Sequence, residues 1–224
     1  MALILNIETA TTNCSVSLSK DGETFALLED NDKNYSHAER LHTYIEQILQ
    51  SNDLEANNLD AIAVSKGPGS YTGLRIGVSS AKGLSYALNI PLISVSTLEA
   101  LAHQMQPESG VIISMLDARR MEVYSAIYDT NYNAIRAIEA EVLNENSYGD
   151  YLEQGIVYFI GNGVAKTKTL ITHPNAVFIE DKLPSAREMG MLAEYKYKKN
   201  DIEDVAYFEP YYLKDFVALK PKSK

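Results

Sequence analysis

The stretch SKGPGSYTGLRIG, residues 65–77, places four glycines and a proline between an apolar run and a segment rich in small residues. The run before it, LDAIAVS at residues 59–65, has the length and composition of a buried strand. The segment after it is predicted to be helical from about Thr72 to Leu88. A strand, a glycine loop and a helix in this order predict an α/β unit whose loop either holds phosphate or lets another segment approach closely.

The glycine spacing does not match either standard phosphate loop. In the Walker pattern a lysine follows the last glycine, but Gly73 is followed by Leu74. In the dinucleotide pattern two residues separate the last two glycines, and here Gly69 and Gly73 are separated by three. We therefore favour close approach by a neighbour over phosphate binding.

The predicted helix carries two adjoining stripes of small and apolar residues, at about 100° per residue. Glycines inside a helix cost about 0.5–1 kcal/mol each relative to alanine, so they need a compensating close contact. One interpretation is that both stripes are covered within the same chain. The other predicts a surface for a partner helix, with Arg75 as a polar contact beside it and an interface formed by Gly73, Leu74, Gly77, Val78, Ser80, Ala81 and Leu84.

One order of elements occurs twice along the chain. Strands are predicted at 2–8, 14–19, 23–28, 59–65 and 91–96, with helices at 36–50, 72–88 and 97–104; Ser36 caps the first helix. The second series has strands at 111–117, 121–129, 133–143 and 156–160, with helices at 144–153 and 164–171. Glu8 then corresponds to Asp117, and residues 67–69 correspond to the glycine pair at 161–163.

This repetition predicts the duplicated α/β fold shared by actin, sugar kinases and the heat-shock chaperone ATPases. It consists of two tandem β-β-β-α-β-α subdomains, at residues 1–105 and 106–224, with a nucleotide cleft between them. The alternative is a generic α/β domain whose strands recur by chance.

Charge and composition restrict the functional classes. The net charge of -10 disfavours unassisted binding to a nucleic-acid backbone, so any RNA is expected to be brought by a basic partner. A single cysteine, Cys14, excludes an internal disulfide framework and favours a reducing compartment. No apolar run approaches the length of a membrane span, and the start lacks the basic end of a signal peptide. The expected location is the cytoplasm.

Two acids could support catalysis. In a duplicated kinase-like fold, Glu8 and Asp117 would face each other across the cleft and hold magnesium and ATP. Thr9 and Thr11 could then contact phosphate, although threonines in a tight turn equally often bond their own backbone. This hypothesis predicts that the chain is an ATP-dependent phosphotransferase. The alternative is that the acids end strands without catalytic use.

Other sites are predicted to be absent. His37 and His42 in HAERLH are five residues apart, which does not match the i, i+4 histidines of zinc proteases, and His37 is interpreted as a surface or capping residue. No G-x-S-x-G elbow is present to position a nucleophilic serine. We therefore predict no catalytic residue and no metal.

Two further segments are candidates for partner contacts. Arg119 and Arg120 lie on a predicted hairpin, where one can pair internally and the other can meet a partner's carboxylate or phosphate. The tail YFEPYYLKDFVALKPKSK is predicted to fold back or to dock a partner through its aromatic residues. These are Tyr207, Phe208, Tyr211, Tyr212 and Phe216, and they precede Lys220, Lys222 and Lys224.

The segment SKGPGSYTGLRIGVSSAKGLSYAL resembles the signature of the bacterial TsaB family, also called YeaZ. The resemblance extends to LILNIETATTNCSVSL, MLDARRMEVYSAIYD and PYYLKDF, so it spans nearly the whole chain. Departures are Glu8 for the usual aspartate, Met121 for a glycine and Lys214 for an arginine.

This resemblance implies a duplicated actin-like fold with a degenerate nucleotide cleft, and a non-catalytic role. Family members act with TsaD and TsaE in making threonylcarbamoyladenosine next to the tRNA anticodon, and TsaD performs the transfer. The resemblance further implies contact with TsaD through a helical bundle and pairing of isolated chains through the same surface. It implies no cofactor in the isolated chain, with a nucleotide, if any, at the partner interface.

Overall fold

The structure, a computed structural model, describes residues 2–31 and 37–214. The first sheet has the order β3-β2-β1-β4-β5 and contains β1 (Leu3–Glu8), β2 (Asn13–Lys20), β3 (Glu23–Asn31), β4 (Ala61–Gly67) and β5 (Leu92–Ser96). The second has the order β10-β9-β6-β7-β8 and contains β6 (Val111–Asp117), β7 (Glu122–Tyr128), β8 (Ala134–Val142), β9 (Val157–Ile160) and β10 (Ala176–Ile179).

The helices occupy the connections between the strands. They are α1 (His37–Gln50), α2 (Tyr71–Leu88), α3 (Thr97–Ala102), α4 (Gly149–Gln154), α5 (Val164–Thr167) and α6 (Met189–Lys198), with a short 3-10 turn at Ala56–Asn58. Ser70 caps α2 because its hydroxyl accepts the Gly73 N–H at 3.3 Å. The predicted Ser36 cap of α1 lies outside the described residues.

The predicted duplication is confirmed. In each sheet three antiparallel strands are followed by a helix and a strand that pairs in parallel with the first strand, β4 with β1 and β9 with β6. The strand in each parallel position runs into a glycine of nearly the same unusual backbone angle, φ +112° at Gly67 and +116° at Gly161. An L side chain rarely adopts this angle, so both turns require glycine.

Most of the predicted elements are found with small shifts of their ends. The sequence interpretation missed β10 and α6, and the predicted helix at 144–153 is reduced to α4. The prediction that His37 is a surface or capping residue is wrong about the surface, because this side chain is buried, with Nε2 2.7 Å from the Thr11 carbonyl oxygen.

Clusters of buried hydrophobic side chains pack the helices against the sheets. Helices α1 and α2 cover one face of the first sheet through Leu41, Ile45 and Val78, while α6 covers the other face. Helix α3 contacts β4 and β5 of the first sheet and β6 and β7 of the second, so it lies between the sheets, and its Leu98 and Leu101 belong to a core cluster of the second sheet. The predicted division at residue 105 falls between the sheets, yet α6 returns to the first sheet, which that division did not anticipate.

Candidate functional site

A cleft of about 720 Å³ lies between the two sheets. Its walls are the β1–β2 turn, the glycine loop at 68–72, the β6–β7 hairpin, Asn162 and the tail segment at 211–214. This is the cleft in which the sequence predicted facing acids.

Asp117, one of the two acids predicted to face each other, lines the cleft as expected. Its side chain is 43% exposed, and Oδ1 accepts the Arg119 N–H at 2.6 Å and Lys166 Nζ at 2.9 Å. The carboxylate is therefore already used by the hairpin and by a lysine of the same chain.

Glu8 does not face Asp117, so the prediction of two acids across the cleft is wrong for this residue. Its side chain is 0% exposed and does not line the cleft. Oε1 accepts the Ala10 N–H at 2.6 Å, while Oε2 is buried without a hydrogen-bond partner in the described chain. Burial raises the pKa of Glu8 to about 7, against the opposing effect of the Ala10 N–H.

The two acids have the same local role. Each accepts the N–H of the residue two positions later, Ala10 for Glu8 and Arg119 for Asp117, both at 2.6 Å. This contact holds the turn that leaves each central strand. The equivalence predicted from the repeat therefore has a structural explanation. The cleft does not fit a magnesium nucleotide held between these acids, because one is enclosed and the other is paired with Lys166.

Thr9 and Thr11 of the β1–β2 turn, the candidate phosphate ligands, form hydrogen bonds within the chain. Thr9 is fully buried, and its hydroxyl donates to the Gly73 carbonyl at 2.8 Å. Thr11 lines the cleft, but its hydroxyl accepts the Asn13 N–H at 3.3 Å. The alternative that the threonines bond the backbone of their own turn describes Thr11, whereas Thr9 bonds the backbone of α2.

Arg119 and Arg120 are exposed and line the cleft. Both lie in the left-handed region, with φ values of 70° and 51°. Their guanidinium groups form no ion pair or hydrogen bond within residues 2–31 and 37–214. Lys214 at the same cleft is paired with Glu122, so the two arginines are the cleft's unpaired cations in the part that the structure describes.

The glycine loop allows close approach, but the approaching segments belong to the same chain. A Cβ on Gly69 would lie 2.5 Å from the Ala10 carbonyl oxygen, and one on Gly73 would lie 2.1 Å from the Thr9 carbonyl oxygen. The tail fills the remaining side, because a Cβ on Gly67 would lie 2.9 Å from the Tyr211 carbonyl oxygen. Such distances cannot be occupied without moving backbone atoms.

The predicted partner interface on α2 needs a correction. Most of its residues are buried against the first sheet and the β1–β2 turn, and this applies to Gly73, Leu74, Gly77, Val78 and Ala81. Ser80 and Leu84 are half-buried, and Ser80 Oγ lies 3.3 Å from His42 Nε2 of α1. Arg75 is exposed and donates to the Tyr71 hydroxyl at 2.8 Å. The helical periodicity correctly predicted stripes of small residues on α2. It could not show which side of the helix packs against the first sheet.

The exposed side of α2 carries a second stripe of small residues, which we call the α2 outer face. It consists of Ser79, Ser80, Gly83 and Ala87. A Cβ added at Gly83 meets no atom within 4 Å. No contact among the described residues therefore requires a glycine at position 83.

The aromatic tail folds back onto the chain. Phe208 packs against the core of the first sheet, and Lys82 of α2 donates to its carbonyl at 2.8 Å. The Tyr212 ring lies 5.2 Å from the Tyr71 ring, while Tyr207 remains 83% exposed. Phe216 and the terminal lysines lie outside the described residues. Sequence reasoning did not place the tail in the cleft, because its neighbours there are distant in the chain.

Within residues 2–31 and 37–214 no group of three or more His, Cys, Asp or Glu side chains is arranged to hold a metal ion. The helices in the same ranges include none with the length and apolar character to cross a membrane.

Comparisons with known proteins agree with this architecture. A family model described as TsaD, tRNA N6-adenosine threonylcarbamoyltransferase, matches residues 32–222. The tRNA threonylcarbamoyladenosine biosynthesis protein TsaB of Escherichia coli (strain K12) is 31% identical, and the match covers 97% of this chain and 96% of that protein. YeaZ from Pseudomonas aeruginosa has a TM-score of 0.82 at 27% identity, covering 95% of this chain and 100% of that chain. The ethanolamine utilization protein EutJ from Carboxydothermus hydrogenoformans has a TM-score of 0.50 at 10% identity, which shows fold alone.

The paired sheets and their neighbours define an α/β protein of the duplicated actin-like fold, which confirms the predicted fold class. The cleft of this protein holds one accessible acid at its second hairpin. The chain belongs to the TsaB family of tRNA threonylcarbamoyladenosine biosynthesis proteins, as its resemblance indicated.

Proposed function

We propose that this chain is a non-catalytic scaffold that supports a TsaD-type threonylcarbamoyltransferase, together with TsaE, in tRNA modification. The observation that carries the proposal is the state of the two equivalent acids. Glu8 is enclosed and Asp117 is paired with Lys166, so the cleft offers no pair of free carboxylates. The chemistry is therefore assigned to the partner, and this chain supplies a binding surface.

The proposed contact surface is the α2 outer face. It lies on the second half of an 18-residue helix, and its four residues carry no charge, in a chain whose charged fraction is 22%; exposed Arg75 lies one turn before it. Small side chains allow a partner helix to approach closely, and an uncharged surface loses little hydration on burial. In the absence of the partner, two copies of this chain pair through the same surface.

The proposal also covers the remaining partners. Lysines and arginines are outnumbered by acids, 20 to 30, so tRNA contacts come through the complex and not from this chain alone. A nucleotide bound in the complex would lie where the partner meets the cleft, near Arg119 and Arg120, whose guanidinium groups have no partner in the described ranges. The assembly is assigned to the cytoplasm.

Gly83→Arg is expected to weaken binding to the TsaD-type partner at least about tenfold, because a long charged side chain would stand in the centre of the α2 outer face. Gly83→Ala is the matched control, since a Cβ there meets no atom of this chain. Calorimetric titration and co-elution would measure both complexes. Light scattering would follow the homodimer in parallel. Wild-type affinity in a folded Gly83→Arg protein would contradict the proposed surface.

The isolated chain is expected to show no saturable binding of magnesium-ATP in calorimetry. The physical reason is that Glu8 cannot reach the cleft and Asp117 is already paired. Micromolar binding that is lost in Asp117→Ala would instead favour the phosphotransferase alternative. Asp150→Ala, an exposed acid at the start of α4, controls for the loss of one charge.

A further inference from the structure

A second cavity, of about 370 Å³, lies where β4 and β5 of the first sheet end, opposite β7 and β8 of the second sheet. We call it the strand-end pocket. It shares only Tyr211 with the cleft described above. The carboxyl ends of parallel strands are where α/β sheets most often bind ligands. Its volume also falls within the range of small-molecule sites, roughly 300–1,000 Å³.

The strand-end pocket is lined by two cations, Lys66 and Arg136, and one anion, Glu99. Arg136 is already paired with Glu141 at 2.9 Å, whereas Lys66 and Glu99 do not pair with each other. Lys66 is the last residue but one of β4, and Glu99 lies in the first turn of α3, directly after β5. Both are half-buried. Neither charged group forms an ion pair or hydrogen bond within residues 2–31 and 37–214. Partly desolvated charges are costly unless they meet a complementary group, so a ligand carrying both charges would satisfy them together.

Apart from Ser96 and the paired Arg136, the rest of the pocket wall is aromatic and aliphatic. Ile138 and two alanines of β8 contribute apolar surface, and Tyr128, Tyr132 and Tyr211 contribute rings. Tyr132 is held in place, because its hydroxyl donates to the Met105 carbonyl at 2.6 Å and its ring stacks on His103 at 3.9 Å. A fixed apolar wall beside two opposite charges suits a small molecule with a charged head and an uncharged side chain.

We propose that the strand-end pocket binds a free α-amino acid. The carboxylate of the ligand meets Lys66, its ammonium group meets Glu99, and its side chain packs against Ile138 and the tyrosines. Tyr128 adds a neutral hydroxyl donor near Glu99, since burial raises the pKa of its phenol. This site goes beyond the scaffold role and does not depend on it, because every group involved belongs to this chain.

Calorimetry or NMR titration of the full chain with L-valine, L-threonine and L-leucine tests the site. We expect saturable binding of at least one of them below about 10 mM. Valinamide lacks the carboxylate, N-acetylvaline lacks the ammonium group, and N-acetylvaline amide lacks both. Each should bind at least about tenfold more weakly than valine if both charges of the pocket are used.

Two variants connect that binding to the pocket. Lys66→Ala and Glu99→Gln are each expected to weaken amino-acid binding at least about tenfold. Lys20→Ala and Glu108→Gln are exposed controls with the same charge changes and should leave binding unaltered. Thermal unfolding would verify that all four variants fold. The proposal is overturned if no amino acid binds the folded wild type, if N-acetylvaline amide binds as well as valine, or if Lys66→Ala and Glu99→Gln bind like the controls.

Discussion

Gly73→Ala is expected to lower the free energy of unfolding by roughly 1–3 kcal/mol, the range typical of overpacking in a dense interior. The added Cβ would lie 2.1 Å from the Thr9 carbonyl oxygen, which is a backbone atom and cannot rotate away. The Thr9 hydroxyl also donates to the Gly73 carbonyl at 2.8 Å, so the turn and the helix are fixed to each other. Urea denaturation of both proteins would measure the difference.

Gly83→Ala is the matched control on the same helix. No atom lies within 4 Å of the added Cβ, so only helix propensity changes, and stability should rise by about 0.5–1 kcal/mol. The two substitutions are chemically identical and should have opposite signs. Equal effects at both positions would show that close approach of the β1–β2 turn is not why residue 73 is glycine.

Glu8→Gln is expected to remove a pH dependence worth about 3 kcal/mol of folding stability. Burial raises the pKa of Glu8 from its ordinary value of 4.5 to about 7. Below 4.5 the carboxyl group is protonated in both states and costs nothing. As the pH rises from 4.5 to 7 the unfolded chain ionises first, so the wild type loses stability through this window and the loss is complete above it.

Denaturation curves for wild type and Glu8→Gln at several pH values would isolate this group, since other titrations cancel in the difference. The glutamine carbonyl can still accept the Ala10 N–H, and its amide replaces the protonated oxygen. As the pH rises, the free energy of unfolding of Glu8→Gln should increase relative to that of the wild type. The control Glu108→Gln, which replaces an exposed acid, should show no such increase. A constant difference between pH 4 and about pH 8 would contradict a buried carboxyl of raised pKa.

The local pattern was sufficient for the elements and for the duplication. Alternating and helical periodicities located β1, β6 and α2 nearly to their ends, and the repeat paired Glu8 with Asp117 and Gly67 with Gly161. These features depend on neighbouring residues, whose spacing is fixed by the backbone geometry of strands and helices. Helix α6 was missed because its residues show little separation into polar and apolar faces.

The site was predicted less completely. Asp117, Arg119 and Arg120 line the cleft, but Glu8 does not. Because β1 and β6 both end in an acid, the sequence predicts equivalent positions for Glu8 and Asp117. Equivalent positions in a repeat can still differ in how deeply the side chain is buried. The first hairpin is covered by the glycine loop, which approaches the Ala10 carbonyl, and this covering segment lies about sixty residues further along the chain.

The sequence by itself determined that a glycine loop follows a buried strand, that something approaches it closely, and that the unit occurs twice. Only the tertiary structure decided that the approaching groups are Thr9, Ala10 and Tyr211 of the same chain. It also left Gly83 as the open glycine of α2 and set Lys66 and Glu99 around one cavity. Periodicity records how often a face recurs along a helix, whereas the identity of the neighbour depends on packing between segments that are distant in sequence.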